Sequence, residues 1–434
     1  MGFVYCIYMT GAETCDKRGY SARKCKTPIG RDSGCFAEFL WRQKIWRGST
    51  VKNIQASFIS AEERLQSLDV LRGFALFGIL MVNLFDFSGP QLYKNTLIHS
   101  SGWADRTVEI LVFVLAQASF YPLFSFLFGA GGVMFYKRLE EKGQSPERFF
   151  TRRMLGLLII GVFHAFFIWH GDILITYALI GFLFMLFIRM PARALAVWSC
   201  SLIAIPNMII ALLLLGIGNL PAEEINTENI LSVYQKGNFS EIMSQRAADW
   251  FYVNNPVNAP FLILSILPMF LLGAYAMKRR WFERDPSKEM VKTWAIAAAA
   301  SGLTGFFIKI MPVIHPESAL WSYLHQSLGG PLAAMFYLTG ILLCIHIIRV
   351  PGVYRVLACA GRASMTNYLL QSIVCTFIFY SYGIGLYGRT ASLQTVLIGI
   401  GVYLAILTAS WFWFKRYKQG PVEKCWRWFV YWRP

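Results

Sequence analysis

The sequence predicts an all-α fold: a polytopic membrane helix bundle of about ten transmembrane helices, with both termini in the cytoplasm. Hydrophobic residues make up 56% of the 434 residues and charged residues only 15%, whereas a soluble domain carries about 25% charged residues. The mean hydropathy is positive, and the apolar residues form continuous blocks instead of one face of an amphipathic helix. Basic residues are dense in every second connecting loop and sparse in the others.

Ten apolar blocks give the predicted membrane helices, because a helix needs about 20 mostly apolar residues to cross a hydrocarbon core. The third and fourth are joined by only His170, Gly171 and Asp172, which predicts an antiparallel hairpin. The ten are Leu68–Phe87, Val108–Tyr136, Met154–Trp169, Ile173–Ile188, Ala194–Ile217, Pro260–Met277, Thr293–Val313, Pro331–Ile348, Met365–Tyr382 and Leu393–Phe414.

The distribution of charge predicts the orientation in the membrane. On this helix plan, 34 of the 41 basic residues fall on one side and 5 on the other. Loops rich in lysine and arginine stay in the cytoplasm, so we place both termini there. The net charge of +17 is therefore explained by the cytoplasmic loops, and we expect no nucleic-acid partner.

Residues 1–63 form an N-terminal extension, which we expect to be disordered or to be an over-extended reading frame whose native start lies near Val51.

Residues 64–434 form one membrane domain. Its longest outer loop, Gly218–Ala259, is acidic and contains several aromatic residues. This loop either packs as a cap on the bundle or is solvated with an interfacial aromatic anchor, which is the commoner arrangement. The tail at 415–434 is rich in tryptophan and basic residues, and predicts an interfacial helix on anionic lipid.

An ionisable pair marks the start of the first helix. Asp69 and Arg72 are three residues apart, so they share one helix face and can pair. Charged groups at a membrane helix are costly unless they are satisfied, and they often indicate function. The alternative is a structural pair that pins the cytoplasmic end of the helix.

Four ordered motifs resemble the YeiB-like family of bacterial membrane proteins, catalogued as domain of unknown function 418. The first runs from Arg64 to Ala75 (RLQSLDVLRGFA), and the second from Leu123 to Gly131 (LFSFLFGAG). The third combines His164 with Gly171 to Leu174 (GDIL) and with the Tyr177-Ala178 pair. The fourth runs from Gly361 to Ser372 (GRASMTNYLLQS). The resemblance covers the chain from about Arg64 to its end. It implies a multi-pass protein of the bacterial plasma membrane, often described as transport-associated, without a defined activity.

The first motif also resembles a wider group of membrane acyltransferases, which includes heparan-alpha-glucosaminide N-acetyltransferase and the type 3 sugar O-acyltransferases. Such enzymes carry an acyl group from cytoplasmic acyl-CoA to an acceptor across the membrane. In the type 3 enzymes a histidine follows the matching arginine by eleven positions, where this chain has Asn83. Asparagine cannot act as a general base. In the glucosaminide enzymes an asparagine stands there and the histidine lies further on, a place that His99 fits loosely.

His164 and Asp172 are the strongest candidates for catalysis, and Asp69 is a third. His164 lies about one and a half helical turns before His170, so it falls within the third helix. A neutral imidazole buried beside a carboxylate can act as a base or as a proton relay. The alternative is a histidine that is hydrogen-bonded for packing. We read His170 as interfacial and incidental, and His315, His325 and His346 as loop or interface residues.

The remaining candidates follow from the same hypothesis. If acyl-CoA is the donor, basic residues at cytoplasmic helix ends would contact its phosphates, namely Arg64, Arg72 and Arg362. Polar residues predicted to line the cavity are Asn83, Asn367, Tyr368 and Gln371. Asn367 and Gln371 lie four apart on one helix face, where the alternative is hydrogen bonding between helices.

Three function classes stay open. The chain is a membrane acyltransferase with an extracytoplasmic acceptor, a transporter or transport-associated protein, or a structural membrane partner without chemistry. No cofactor beyond a possible acyl-CoA donor is implied. The spacing of cysteines and histidines matches no zinc site, and no H-E-x-x-H motif is present, so we expect no metal.

We expect labelling of engineered cysteines in intact cells to confirm the topology. In a chain freed of its native cysteines, Gly237→Cys should react with a membrane-impermeant reagent from outside, because its loop lies on the side with few basic residues. A cysteine in the basic segment 137–153 should react only after permeabilisation. Labelling of Gly237→Cys from the inside alone would overturn the assignment.

Overall fold

The computed structural model describes residues 65–94, 98, 100, 102–217, 226–283, 285–348 and 350–432. Over these residues the chain is all-helical and contains no β-strand, which confirms the predicted fold class. The extension at 1–63 lies outside the described residues, as do Arg64 and His99.

Sixteen α-helices follow one another along the described chain, and four of them adjoin the three π-helical turns at Val112–Ala116, His164–Ile168 and His325–Gly329. They are α1 Gln66–Ser88, α2 Trp103–Leu111, α3 Phe120–Glu141, α4 Pro146–Phe163, α5 Leu174–Phe184, α6 Ala192–Ile217, α7 Glu228–Lys236, α8 Phe239–Val253, α9 Ala259–Lys278, α10 Lys288–Ile314, α11 Ala319–Leu324, α12 Gly330–Ile347, α13 Pro351–Arg362, α14 Ser364–Phe379, α15 Ser392–Arg416 and α16 Pro421–Tyr431.

Every predicted membrane helix has a counterpart in the structure. Eight helical segments among the described residues are long and apolar enough to span a bilayer. The other two, predicted at Ile173–Ile188 and Met365–Tyr382, correspond to the shorter helices α5 and α14. The protein is therefore a multi-pass membrane protein, while the count of ten spans and the side of the termini stay predictions.

The second membrane segment is broken near its middle. Between the π-helical turn after α2 and the start of α3, Ala118 adopts a positive φ of 60°, and the regular hydrogen-bonding pattern stops. Backbone carbonyls freed inside a membrane need partners within the protein. Here the Tyr337 hydroxyl donates to the Leu115 carbonyl at 2.6 Å, and the Lys309 ammonium donates to the Gln117 carbonyl at 2.5 Å.

Glycines allow the central helices to approach closely. A Cβ atom on Gly129 or Gly273 would collide with the backbone of the opposite helix, where α3 crosses α9. The same holds for Gly73 and Gly361 where α1 crosses α13, since a Cβ on Gly361 would overlap the carbonyl oxygen of Asp69. Small residues commonly drive membrane helices together through van der Waals packing.

The segment predicted as the outer acidic loop is largely helical. Its described part contains α7 and α8, whose residues Tyr234, Arg246 and Asp249 are at most 1% exposed. We call α7 and α8 the cap. In the described part of this segment, from residue 226 onward, these aromatic and charged side chains pack inward, which favours the capping alternative over a solvated loop. Phe251 and Tyr252 remain exposed, as an interfacial anchor would be.

The C-terminal tail contributes the short amphipathic helix α16. Its Glu423 accepts hydrogen bonds from the backbone N–H groups of Met365 and Thr366 and from the Thr366 hydroxyl. These bonds cap the start of α14, where the first N–H groups have no partner within the helix. Trp426 donates to the Arg153 carbonyl at 3.1 Å, so α16 is fixed to α4 as well.

We expect Gly361→Ala to destabilise the protein, because the new methyl group would overlap the Asp69 carbonyl and force α1 and α13 apart. Overpacking of this kind costs about 1–3 kcal/mol. The matched control is Gly401→Ala in α15, where a Cβ meets nothing within 4 Å. Thermal unfolding in detergent should show a lower Tm for Gly361→Ala alone; equal Tm values would contradict the close helix crossing.

Candidate functional site

A buried histidine–aspartate pair lies where the third and fourth membrane segments meet. His164 Nδ1 is 2.7 Å from Asp172 Oδ2, and both side chains are fully buried. An ionised carboxylate only accepts hydrogen bonds, so Nδ1 carries the hydrogen and Nε2 keeps its lone pair. Nε2 is buried and has no hydrogen-bond partner among the described residues. The pair therefore has the arrangement of a base oriented by a carboxylate.

Local backbone features hold this pair in place. His164 begins the π-helical turn that ends α4, and the Trp169 N–H closes that turn on the His164 carbonyl at 2.8 Å. Asp172 Oδ1 accepts the backbone N–H of Ile175 in the first turn of α5 at 2.8 Å. A Cβ on Gly161 would clash with both Ile175 and Asp172, so glycine at this position lets α5 begin against α4. Single π turns within α-helices occur frequently at functional sites.

A small cleft lies close to the pair, at the residues on either side of Asp172. It has a volume of about 100 Å³ and is lined by Ile79, Val82, Asn83, Ala116, Ala118, Phe120, Tyr121, Gly171, Ile173 and Tyr368. The Tyr368 ring packs on the His164 ring, with centroids 5.0 Å apart, and its hydroxyl donates to the Gly171 carbonyl at 3.2 Å. The structure thus places Asn83 and Tyr368, two of the predicted cavity residues, at the cleft.

The other two predicted cavity residues bond to neighbouring helices. The Asn367 amide donates to the Ala360 carbonyl and to the Ser410 hydroxyl, each at 2.9 Å. The Gln371 amide donates to the Leu76 carbonyl at 3.3 Å. Both side chains are buried and neither lines the cleft. Their contacts are those of interhelical hydrogen bonds.

Asp69 and Arg72 form the predicted pair at the other end of α1. Arg72 Nη1 lies 3.2 Å from Asp69 Oδ1, and Asp69 is 3% exposed. From Asp69 to Asn83 the helix rises about 20 Å, at 1.5 Å per residue. The structure therefore does not bring Asp69 to His164 and Asp172.

Basic side chains gather near the Asp69–Arg72 end. A Cβ on Gly131 of α3 would contact the Arg72 guanidinium. On the same helix, the Phe128 ring lies 5.7 Å from the guanidinium carbon of Arg153. Arg362 donates to the Lys418 carbonyl at 3.1 Å and stacks over Phe414 at 4.2 Å. Arg153 was not among the predicted phosphate contacts, because the sequence placed it in an ordinary basic loop.

A second polar cluster lies between the cap and the bundle, and the sequence did not predict it. Both oxygens of Asp249 are occupied, since Tyr93 and Gln245 donate to Oδ1 at 2.7 Å and Tyr234 donates to Oδ2 at 2.5 Å. His170 Nδ1 lies 3.6 Å from Asp249 Oδ2. The prediction that His170 is interfacial and incidental is therefore wrong, because its ring is only 7% exposed.

The buried arginine of the cap faces the turn that carries His164. Arg246 is fully buried and donates to the Phe166 carbonyl at 3.4 Å and to the Tyr382 hydroxyl at 3.5 Å. A sequence signal existed in retrospect: Arg246 and Asp249 lie three apart, so they leave one face of α8 together. That signal was hidden because several acidic residues of the same segment made it resemble a solvated loop.

His325 was also misplaced by the sequence, which put it in a loop or at an interface. It is 1% exposed in the π-helical turn before α12. Its Nδ1 donates to the Lys309 carbonyl at 3.1 Å, and Nε2 lies 3.4 Å from the Lys309 ammonium. Lys309 therefore connects His325 to the break in the second membrane segment.

Comparison with known proteins places the chain in a family. It is 36% identical to the uncharacterised protein YxaH of Bacillus subtilis (strain 168) over 394 residues, which covers 86% of this chain and 96% of YxaH. The chain belongs to the YeiB-like family. The family model described as "Protein of unknown function (DUF418)" matches residues 276–433.

Two further relatives cover a similar share of the chain. The uncharacterised protein YeiB of Escherichia coli (strain K12) is 26% identical over 391 residues, which is 84% of this chain and 96% of YeiB. An uncharacterised 39.9 kDa protein of Bacillus acidopullulyticus, from the amylase 3' region, is 27% identical over 381 residues, which is 86% of this chain and 95% of that protein. The predicted YeiB-like resemblance is thus confirmed over most of the chain.

We expect His170 to make the folded protein less stable as the pH falls below neutrality. Burial lowers the pKa of His170 to about 4; Arg246 and His164 act in the same direction, and Asp249 opposes them. Since the pKa in the unfolded chain is about 6.5, the unfolded state binds the proton first as the pH falls. This contribution to stability is complete above pH 6.5 and is lost as the pH falls towards 4.

The measurement is thermal unfolding in detergent between pH 7.5 and 4.5 for the wild type and for His170→Gln. The Tm of the wild type should fall more steeply over that interval, because the variant lacks the titrating group. His315→Gln is the control, since His315 is half exposed. Parallel curves for the wild type and His170→Gln would show that His170 is not the acid-sensitive group.

Proposed function

We propose that the protein is a membrane acyltransferase that moves an acyl group from acyl-CoA to a hydroxyl or amine acceptor. The observation that carries this proposal is the buried His164–Asp172 pair, in which Nδ1 is bonded to the carboxylate at 2.7 Å and Nε2 is unpartnered. A base oriented in this way is the arrangement that activates a nucleophile in acyl transfer. The resemblance of the first motif to membrane acyltransferases agrees with it.

In the proposed reaction His164 Nε2 takes the proton of the acceptor hydroxyl or amine. The acceptor oxygen or nitrogen then attacks the thioester carbonyl, the bond from carbon to sulfur breaks, and the coenzyme A thiolate leaves. The proton on His164 passes to that thiolate, so the base is restored. Asp172 keeps the imidazole in the correct tautomer and stabilises the imidazolium that forms.

The basic end of the bundle would hold the phosphates of the donor. Arg72 and Arg362, with Arg153 beside them, offer guanidinium groups, which suit phosphate recognition. Arg64 stays a predicted contact from the sequence. Asp69 fixes Arg72 at 3.2 Å and lies about 20 Å along α1 from Asn83. In the proposed reaction Asp69 is therefore a positioning residue that does not touch the reacting atoms.

Transport is the second candidate, and the broken second segment favours it. Transporter sites are typically built where membrane helices are interrupted. The break at Ala118 borders the cleft, and the buried Lys309 bonds to it. Ionisable residues within membrane helices often mark solute or proton paths. On this alternative His164 and Asp172 would relay protons.

Binding of coenzyme A separates the two candidates. Purified protein should gain thermal stability with coenzyme A and with acetyl-CoA, because a ligand that binds only the folded state stabilises it by about 2.7 kcal/mol at 100 times its Kd. His164→Gln should keep this Tm shift and lose acetyl transfer or slow hydrolysis of acetyl-CoA. His315→Gln, in an exposed loop, should keep both.

Two results would contradict the proposal. If neither coenzyme A nor acetyl-CoA shifts the Tm at millimolar concentration, the enzyme proposal fails and transport becomes the leading function. If both bind but His164→Gln hydrolyses acetyl-CoA as fast as the wild type, His164 is not the base.

A further inference from the structure

The cleft beside the His164–Asp172 pair is small and mostly apolar. Ile79 and Val82 of α1 form one wall, and Ala116, Ala118 and Phe120 form another at the break of the second segment. The polar side chains Asn83 and Tyr368 and the backbone of Gly171 complete the lining. An apolar site with a few polar groups is typical of small-molecule binding, and this lining suits a short hydrocarbon group attached to a carbonyl.

The volume limits what the cleft can hold. It measures about 100 Å³, whereas an apolar cavity of about 150 Å³ binds benzene, which has six carbon atoms. A group that fills this cleft therefore has about two to four carbon atoms. A longer alkyl chain would have to displace a wall.

The side chains that line the cleft are tightly packed and cannot move aside easily. The Phe120 ring stacks on Tyr337 with centroids 5.2 Å apart and packs against Phe74 at 5.5 Å. A Cβ on Gly78 would overlap the same ring, so Phe120 is closely enclosed on the α1 side too. Displacing side chains that are packed in this way costs free energy.

The cleft lies close to the His164–Asp172 pair, although neither of these two side chains lines it. Gly171 and Ile173, the two neighbours of Asp172, both line it. Tyr368 lies between the cleft and His164, with its ring 5.0 Å from the imidazole. A carbonyl group held in the cleft would therefore be separated from the proposed base only by the Tyr368 ring, and a shift of that ring would bring the two together for transfer.

We propose that this cleft binds the acyl group of the donor and restricts the protein to short acyl chains, from acetyl to butyryl, with Ile79, Val82 and Phe120 setting the limit. The proposal rests on the proposed function and adds the substrate class. Val82 is the residue of choice for a test, because it lies one residue from Asn83 and its truncation widens the cleft without removing a polar group.

The test compares coenzyme A, acetyl-CoA, butyryl-CoA and octanoyl-CoA as ligands and as substrates of hydrolysis. The wild type should prefer acetyl-CoA or butyryl-CoA to octanoyl-CoA by at least tenfold. Val82→Ala should reduce that preference by about tenfold, because a methylene or two in an apolar pocket is worth roughly 10–200-fold in discrimination. Val374→Ala, a partly buried valine of α14 outside the cleft, should leave the preference unchanged.

A second variant protects the test against misfolding. Val82→Phe should fill the cleft and so remove any advantage of acetyl-CoA over free coenzyme A, while coenzyme A still raises the Tm. The inference is overturned if the wild type uses octanoyl-CoA as well as acetyl-CoA, or if Val82→Ala and Val374→Ala leave the same chain-length preference. Should coenzyme A itself fail to bind, the proposed function falls and this inference falls with it; binding without chain-length discrimination contradicts this inference alone.

Discussion

Polar groups inside a bilayer must find their partners within the protein, since no water is present to replace a missing hydrogen bond. The break in the second membrane segment is where this constraint is most demanding. Lys309 and Tyr337 satisfy the carbonyls of Gln117 and Leu115 there, and His325 accepts from the lysine. These contacts support the break. The small side chains of Ala116 and Ala118 line the cleft at this point.

The same constraint explains the role of glycine in the bundle. Within a bilayer the hydrophobic effect gives little driving force for helices to associate, so close packing and hydrogen bonds must hold them together. Gly73 with Gly361 and Gly129 with Gly273 bring two helix pairs into backbone contact. The first of these crossings lies within one turn of Asp69, so it fixes the helix end that carries Arg72. Gly161 does the same for Asp172, which would otherwise not meet His164.

The helices could be predicted because membrane spans depend on local composition. Each apolar block is read within a window of one helix, and each of the ten blocks corresponds to a helix among the described residues. The His164–Asp172 pair could be proposed because only seven residues separate its members and a tight turn joins them. The cap could not, because Asp249 gains its partners Tyr93 and Tyr234 from folding and not from spacing. His325 was misplaced for the same reason, since its partner Lys309 lies on the preceding helix α10 and meets it only in the folded chain.

Two charged centres at opposite ends of α1 divide the molecule into regions of different chemistry. At one end the basic side chains of Arg72, Arg153 and Arg362 lie near Asp69, and a concentration of guanidinium groups favours an anion. At the other end His164 and Asp172 compensate one another and are enclosed by the aromatic rings of Tyr368 and Trp169. Apolar surroundings strengthen the hydrogen bond within such a pair. A long ligand with an anionic head and a short acyl end matches this division, because each of its parts then meets the environment that suits it.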